Sequence, residues 1–224
     1  MAMIEVKKLS KEYRSGDENV AALRDLDLSI GDGEFVTIMG QSGSGKSTLL
    51  SVLGGMNHPT SGEVTVGGVG IYTLSDDRLA DFRADNLGFV FQSFHLVPYL
   101  TALENVMLPL AIRRMKSREK RRLAAEALSR VGLGAKIDRL PNQLSGGEQE
   151  RVAIARAIVN TPRILFADEP TGNLDSRLSE EVMQLFRQLN DHGQTVVMVT
   201  HNPDNSRYAD RTIHLRDGTI VSAT

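Results

Sequence analysis

The stretch Gly40-Gln41-Ser42-Gly43-Ser44-Gly45-Lys46-Ser47 constrains this chain more than any other feature. It fits the pattern G-x-x-x-x-G-K-S/T, and it lies between an apolar run, Glu34–Met39, and a helical run, Thr48–Leu53. Gly40, Gly43 and Gly45 let the main chain turn tightly and approach a ligand with no Cβ in the way. Successive N–H groups across Gln41, Ser42, Ser44 and Thr48, with the start of the helix, then point at phosphate oxygens. Lys46 is the cation for β- and γ-oxygens, and the Ser47 hydroxyl suits Mg²⁺, which prefers oxygen ligands. The competing reading is a chance glycine-rich turn. Strand, spacing and helix together weigh against it, so the residues point to a nucleotide site.

Far along the chain, Ile164-Leu165-Phe166-Ala167 reads as a buried strand that ends in Asp168-Glu169. Alone, two adjacent carboxylates after a strand are a solvated turn. Beside a phosphate cradle they suit metal and water handling, Asp168 on Mg²⁺ and Glu169 as the base that polarises water.

The rest of the chain has the rhythm of an α/β fold. Short β-rich runs fill the first third, at Ile4–Leu9, Ala21–Ile30, Glu34–Met39 and Gly62–Val66. Helical patterns dominate the middle, where Thr101-x-x-Glu104 and Ser145-x-x-Glu148 both fit the capping box. Strand and helix alternate again through Ile164–Ala167, Ser179–Leu189, Thr195–Thr200 and Thr212–Leu215, which implies a parallel sheet with helices against it.

Composition narrows the partners. The 224 residues are 41% apolar and 24% charged with a formal charge of −2, enough to bury a core and without the basic excess of a nucleic-acid coat. No cysteine is present, which excludes disulfides, iron–sulfur clusters and thiolate zinc sites. No apolar run approaches the ~18–20 residues of a membrane span, and the first residues lack a signal-peptide stretch. The expectation is a cytoplasmic protein. From Arg113 to Arg130, eight Lys/Arg face Glu119 and Glu126, a local +6. Such a stripe suits acidic lipid or nucleic acid. Leu123, Ala127, Leu128 and Val131 recur there at helical spacing, which favours an amphipathic helix with a solvated charged face.

Leu144-Ser145-Gly146-Gly147-Glu148-Gln149 opens a long helical run, Gln149–Val159. It is a capped helix start, and a helix start with Ser145 and two bare glycines is also a second anion site. With this segment the sequence resembles the ATP-binding subunits of ABC transporters over nearly its whole length. Leu144–Glu148 matches the signature motif, Gly40–Ser47 Walker A and Ile164–Asp168 Walker B. Gln92, after Gly88-Phe89-Val90-Phe91, matches the Q-loop glutamine, which joins Ser47 and Asp168 around the metal. Asn173-Leu174-Asp175 matches the D-loop and His201 the switch histidine near the γ-phosphate. Tyr13, 33 residues before Lys46, stands where the family places an aromatic that stacks on adenine.

The resemblance implies an α/β fold: a P-loop NTPase, RecA-like core with a parallel sheet, an N-terminal antiparallel β-subdomain and an inserted α-helical subdomain. Residues 1–91 and 161–224 would form the core and 92–160 the helical subdomain. It implies hydrolysis of ATP with Mg²⁺, with Lys46, Glu169 and His201 as catalytic residues. It also implies a head-to-tail homodimer sandwiching two ATP, in which Ser145, Gly146, Gly147 and Asp175 of one copy meet the nucleotide of the other. Integral membrane permease subunits would dock near Gln92–Leu100, holding the chain at the inner face of the cell membrane.

The string Phe91–Val106 and the run Ala167–Asp175 are similar to the ATPases of lipoprotein-releasing and macrolide-exporting systems. The cell-division ATPases of the same fold share many of these strings and are the alternative. Gln41, where proline or alanine is common, and Asn202, where this branch often has aspartate, are mild departures. Chromosome ATPases with this motif set carry long coiled-coil or zinc insertions. Only 98 residues separate Lys46 from Leu144, without a sustained heptad run. A nucleic-acid partner is therefore not expected.

Overall fold

The computed structural model describes residues 2–16 and 18–224. Two long strands open the chain, β1 (Ala2–Ser15) and β2 (Glu18–Gly31). They pair antiparallel, with Ile4 opposite Ile30 and Val6 opposite Leu28. Ile4 with Val6, and Leu26, Leu28 with Ile30, recur at the strand period of two and are buried. The register slips around Leu9, where Lys8 takes a left-handed φ of 47°, as bulged strands do.

Phe35–Met39 is the short strand β3, which leads through the glycine-rich loop into α1 (Lys46–Leu53). Then come β4 (Ser61–Val66), β5 (Val69–Gly70), α2 (Asp76–Asn86), β6 (Leu87–Phe91), α3 (Ala102–Met107), α4 (Ser117–Arg130) and α5 (Gly146–Ile158). The chain closes with β7 (Ile164–Asp168), α6 (Ser176–Asp191), β8 (Thr195–Thr200), α7 (Pro203–Ser206), β9 (Arg211–Arg216) and β10 (Thr219–Ala223). Contacts gather these elements into two units, Met1–Arg83 with Leu189–Thr224, and Ala84–Gln188.

In the first unit, β2, β1, β4 and β5 form an antiparallel sheet in that order. Parallel strands make its other sheet: β3 pairs with β8 on one side and β9 on the other, and β10 joins β9 antiparallel. Both β3 and β8 are buried along nearly their whole length, as strands covered on both faces are, which explains their nearly continuous apolar sequence. Phe35, Val36, Ile38, Val196, Val197 and Val199 are fully buried. α1 turns Leu49, Leu50, Val52 and Leu53 inward. Each such side chain contributes about 1.5–3 kcal/mol by leaving water.

In the second unit, β6 pairs parallel with β7. Phe89 stacks on Phe166 with ring centroids 5.4 Å apart. Helices α3, α4 and α5 pack on one another through Val106, Ala124, Leu128, Val152 and Ile154, all buried. The architecture is therefore α/β, with parallel strands at its core and an antiparallel sheet formed by the N-terminal strands. Among the described residues no helix is long and apolar enough to cross a membrane.

The helix α1 starts two residues earlier than the pattern suggested, because Lys46 already turns helically. The helix α2 and the strand β10 lack a sharp period and were not legible beforehand. In α2 only Leu79 is buried.

Candidate functional site

In the first unit the loop between β3 and α1 carries Gly40, Gln41, Ser42, Gly43, Ser44, Gly45, Lys46, Ser47 and Thr48. Gly45 caps the helix with φ 101°, a conformation closed to other residues without strain. A Cβ there would lie 2.4 Å from the Ala22 carbonyl oxygen, and one on Gly40 would lie 2.2 Å from that of Leu215. Both positions therefore require glycine on steric grounds. Lys46 is buried, and its Nζ donates to the carbonyl oxygens of Gly40 and Gln41 at 2.8 and 2.9 Å. An ammonium has three protons, so one remains for an anion held by the loop. The Ser44 hydroxyl is buried with no hydrogen-bond partner. A buried orphan hydroxyl in a glycine-rich loop at the start of a helix is the kind of donor that an anion satisfies.

Tyr13 lies on β1 of the same unit and is 40% exposed. Asn57 Nδ2 donates to its hydroxyl at 2.5 Å, and Lys11 Nζ sits 5.1 Å from its ring centroid. The ring is thus held by its rim and offers area to solvent. His201 follows β8 directly and is exposed. The turn that carries it is pinned by Thr200, whose hydroxyl accepts from the Asn202 N–H at 3.0 Å and from Asn205 Nδ2 at 3.2 Å. Asn202 itself caps α7 by accepting from the Asp204 N–H.

The second unit gathers the other motifs. Asp168 ends β7, and Glu169 follows it with a left-handed φ of 49°. Non-glycine residues in that region recur at functional sites. Gln92 leaves the end of β6. Its carbonyl oxygen accepts from Asn173 Nδ2 at 2.8 Å, and its side chain lies where a Cβ on Gly172 would be, 2.7 Å from Nε2. The glutamine after β6 and the segment after Glu169 are therefore one packed cluster. Asp175 caps α6, its carboxylate accepting from the Leu178 N–H at 2.8 Å.

The start of α5 packs on the same segment. A Cβ on Gly147 would lie 2.9 Å from Leu178 Cδ2, and one on Gly146 3.3 Å from Leu174 Cδ2. The two glycines serve close packing as well as any ligand. Ser145 caps the helix with both arms of the capping box: the Glu148 N–H donates to Ser145 Oγ, and the Ser145 N–H to Glu148 Oε2. Hydrogen bonds from Lys136 and from the Ser145 N–H hold the Glu148 carboxyl below its ordinary value. Thr101 and Glu104 form the second capping box, at α3.

Three further residues were not singled out from the sequence. Asn105 is fully buried, and its Nδ2 donates to the carbonyls of Val97, Leu100 and Thr101 while Oδ1 accepts from the Val97 N–H. It shapes the whole connection after Gln92. Arg156 donates to the carbonyl oxygens of Phe94 and His95. Glu150 is fully buried on α5 with neither carboxylate oxygen hydrogen-bonded. Burial pushes its carboxyl well above the ordinary value, against the pull of Arg156. The available signal was a polar residue on an apolar helical face: Gly147, Glu150, Ile154 and Ile158 share one stripe of α5 and are all buried.

Comparison with known proteins identifies the family. The ABC transporter family model matches residues 23–172. The ABC transporter ATP-binding protein YvrO of Bacillus subtilis, itself uncharacterized, is 48% identical over 98% of this chain and 96% of its own length. The macrolide export ATP-binding/permease protein MacB of Rhodopirellula baltica is 48% identical, and the chain spans 32% of its length. Among solved structures, a dimeric ABC transporter cassette, MJ0796, superposes with a TM-score of 0.91 at 48% identity, covering 99% of this chain and 98% of that one. MJ0796 is a protein of Methanocaldococcus jannaschii. The same cassette in a dimeric post-hydrolysis state with ADP and phosphate superposes at 0.90. This chain belongs to the ABC transporter family.

Proposed function

We propose that this chain is the ATP-binding and ATP-hydrolysing motor subunit of an ABC transporter complex, powering the work of membrane permease subunits. The observation that carries the reading is the β3–α1 loop, with glycines fixed by their surroundings, a buried lysine and an orphan hydroxyl on Ser44. The ADP and phosphate in the dimeric relative support ATP as the substrate. Tyr13 would stack on adenine. Gly40 to Thr48 would hold the phosphates, with Lys46 on the β/γ side. Ser47, Asp168 and Gln92 are oxygen donors suited to Mg²⁺, which when bound neutralises phosphate charge. Glu169 would take the proton of the attacking water and His201 would meet the γ-phosphate, giving ADP and phosphate from ATP and water.

Two copies would associate head to tail, so that Ser145, Gly146, Gly147 and Asp175 of one copy complete the nucleotide site of the other. Both dimeric relatives support this. The permease fused to the ATPase in MacB supports a membrane partner for this chain too, received near Gln92–Leu100. In this arrangement 1–91 with 161–224 act as the ATP-binding core and 92–160 as the helical subdomain. The chain would then sit in the cytoplasm, peripheral to the membrane through that partner, in an export or lipoprotein-release system. Phosphate release is the test. Glu169→Gln should lower turnover by about 10²–10⁴-fold, the usual share of a general base, while ATP still binds. Turnover unchanged by that substitution would remove Glu169 from the chemistry.

A further inference from the structure

Residues 108–122 of the second unit carry a surface that neither the nucleotide site nor the packing of the helices explains. Leu108 and Ile112 are exposed, Ile112 at 71%. They lie on successive tight turns, closed by hydrogen bonds from the Ala111 N–H to Leu108 and from the Arg113 N–H to Leu110. Lys120, in the second turn of α4, donates Nζ to the Ala111 carbonyl at 3.0 Å. That bond lays the start of α4 beside Ile112, so its cations and the isoleucine share one surface.

The cations there are in excess. Arg114, Lys116, Arg118, Arg121 and Arg122 are exposed, with Glu119 as the exposed acid among them. Arg122 pairs with Glu126, and Arg113 with Asp85. Arg114, Lys116 and Arg118 have no acidic partner among the described residues. The helix packs through Ala124, Ala127 and Leu128 in its second half, so the exposed Arg118, Arg121 and Arg122 of its first half lie outside that packing. With +6 between Arg113 and Arg130, the remainder of a chain of net charge −2 carries −8. The positive charge is concentrated here.

We propose that residues 108–122 are a contact surface for an anionic phospholipid membrane. Arg114, Lys116, Arg118 and Arg121 meet headgroups while Ile112 and Leu108 enter the acyl boundary. Basic side chains beside exposed aliphatic ones are the pattern of interfacial binding. A single-stranded nucleic acid is the poorer match, since it is held by aromatic stacking and 108–130 contains no aromatic residue. An anionic membrane also draws a locally basic patch from an acidic chain over short range only, within a Debye length.

The test is sedimentation of the full chain with vesicles of phosphatidylcholine alone, or with about 30% phosphatidylglycerol, a leaflet charge that attracts basic segments. Binding to the anionic vesicles alone is expected. Each cation removed in a series ending at R114Q/K116Q/R118Q/R121Q should weaken it about fivefold. Ile112→Ser should weaken the residual binding at about 0.5 M salt, where charge is screened. Thermal unfolding and ATP turnover of these variants should match the parent, which separates surface from fold. Equal binding to neutral vesicles, or undiminished binding of the quadruple variant, would overturn the proposal. So would equal affinity for DNA at matched phosphate concentration with no dependence on Ile112, which would make the patch a general polyanion contact.

Discussion

Arg156 of α5 holds Phe94 by its main chain: the guanidinium donates to the Phe94 carbonyl at 2.6 Å and, through its other terminal nitrogen, to that of His95 at 2.6 Å. Both acceptors sit at positive φ, 54° and 49°, which costs a non-glycine residue roughly 1–2 kcal/mol. The helix that begins with Ser145-Gly146-Gly147 therefore fixes, at its far end, the strained connection that follows Gln92. The helix capped by Ser145 and the connection after Gln92 are tied by one charged side chain.

Removing that side chain should release the connection. Arg156→Ala loses two charge-assisted hydrogen bonds, each worth about 1.5–3 kcal/mol, and leaves the buried Glu150 without its nearby cation. We expect a loss of about 3 kcal/mol in urea unfolding and new proteolytic cleavage between Gln92 and Leu100. Arg156→Lys, with a single point charge in place of the fork, should recover part of it. A fully stable, uncleaved alanine variant would show that the clamp is incidental.

Glu150 gives a pH signature. Burial raises its carboxyl above the ordinary 4.5, so the folded state prefers the protonated form. Its contribution is present in full below the unfolded value and is lost as pH rises through the folded value. Glu150→Gln, neutral throughout, should flatten the loss of stability as pH rises above the ordinary carboxylate range, leaving the variant the more stable protein at the alkaline end of a urea-unfolding series. Parallel pH curves for the two proteins would contradict the burial of a strained acid.

In the loop between β3 and α1 the steric demand for glycine is sharp at Gly45. Gly45→Ala combines a left-handed conformation with a Cβ 2.4 Å from Ala22 O. The loop must shift, and ATP affinity should fall more than about tenfold, a loss of about 1.4 kcal/mol, as read by nucleotide fluorescence titration. Unaltered affinity would place the phosphates elsewhere.

Ser145 separates cap from catalysis. Ser145→Ala deletes one arm of the capping box and should cost about 1 kcal/mol of stability. If Ser145 also faces ATP on a second copy, turnover should fall at protein concentrations where folding is complete. Ser145→Asp would keep the cap yet repel phosphate, so its stability should recover while its activity does not. Activity that tracks stability in both variants would reduce Ser145 to a cap.

Much of this was legible in the sequence because it depends on local rules. The β3–α1 loop declares itself through three glycines and Lys46, and both capping boxes through Ser or Thr three residues before Glu. The parallel strands β3, β7 and β8 show as short, nearly continuous apolar runs. What stayed hidden depends on contacts far apart in the chain. Nothing near Gly147 foretells Leu178 above it, and nothing near Arg156 foretells the Phe94 carbonyl 62 positions earlier. The excess charge of 113–130 was visible, but not its neighbour Ile112, whose exposure follows from the turns that close on Leu108 and Leu110.

In the proposed cycle ATP joins two copies of this chain through Ser145–Gly147 and hydrolysis parts them. The most direct measurement is the molar mass of the Glu169→Gln variant by light scattering, with Mg-ATP and with Mg-ADP. A dimer is expected in ATP and a monomer in ADP, with the ATP dimer abolished by adding Ser145→Asp. A monomer in saturating ATP, with nucleotide shown to be bound, would contradict it.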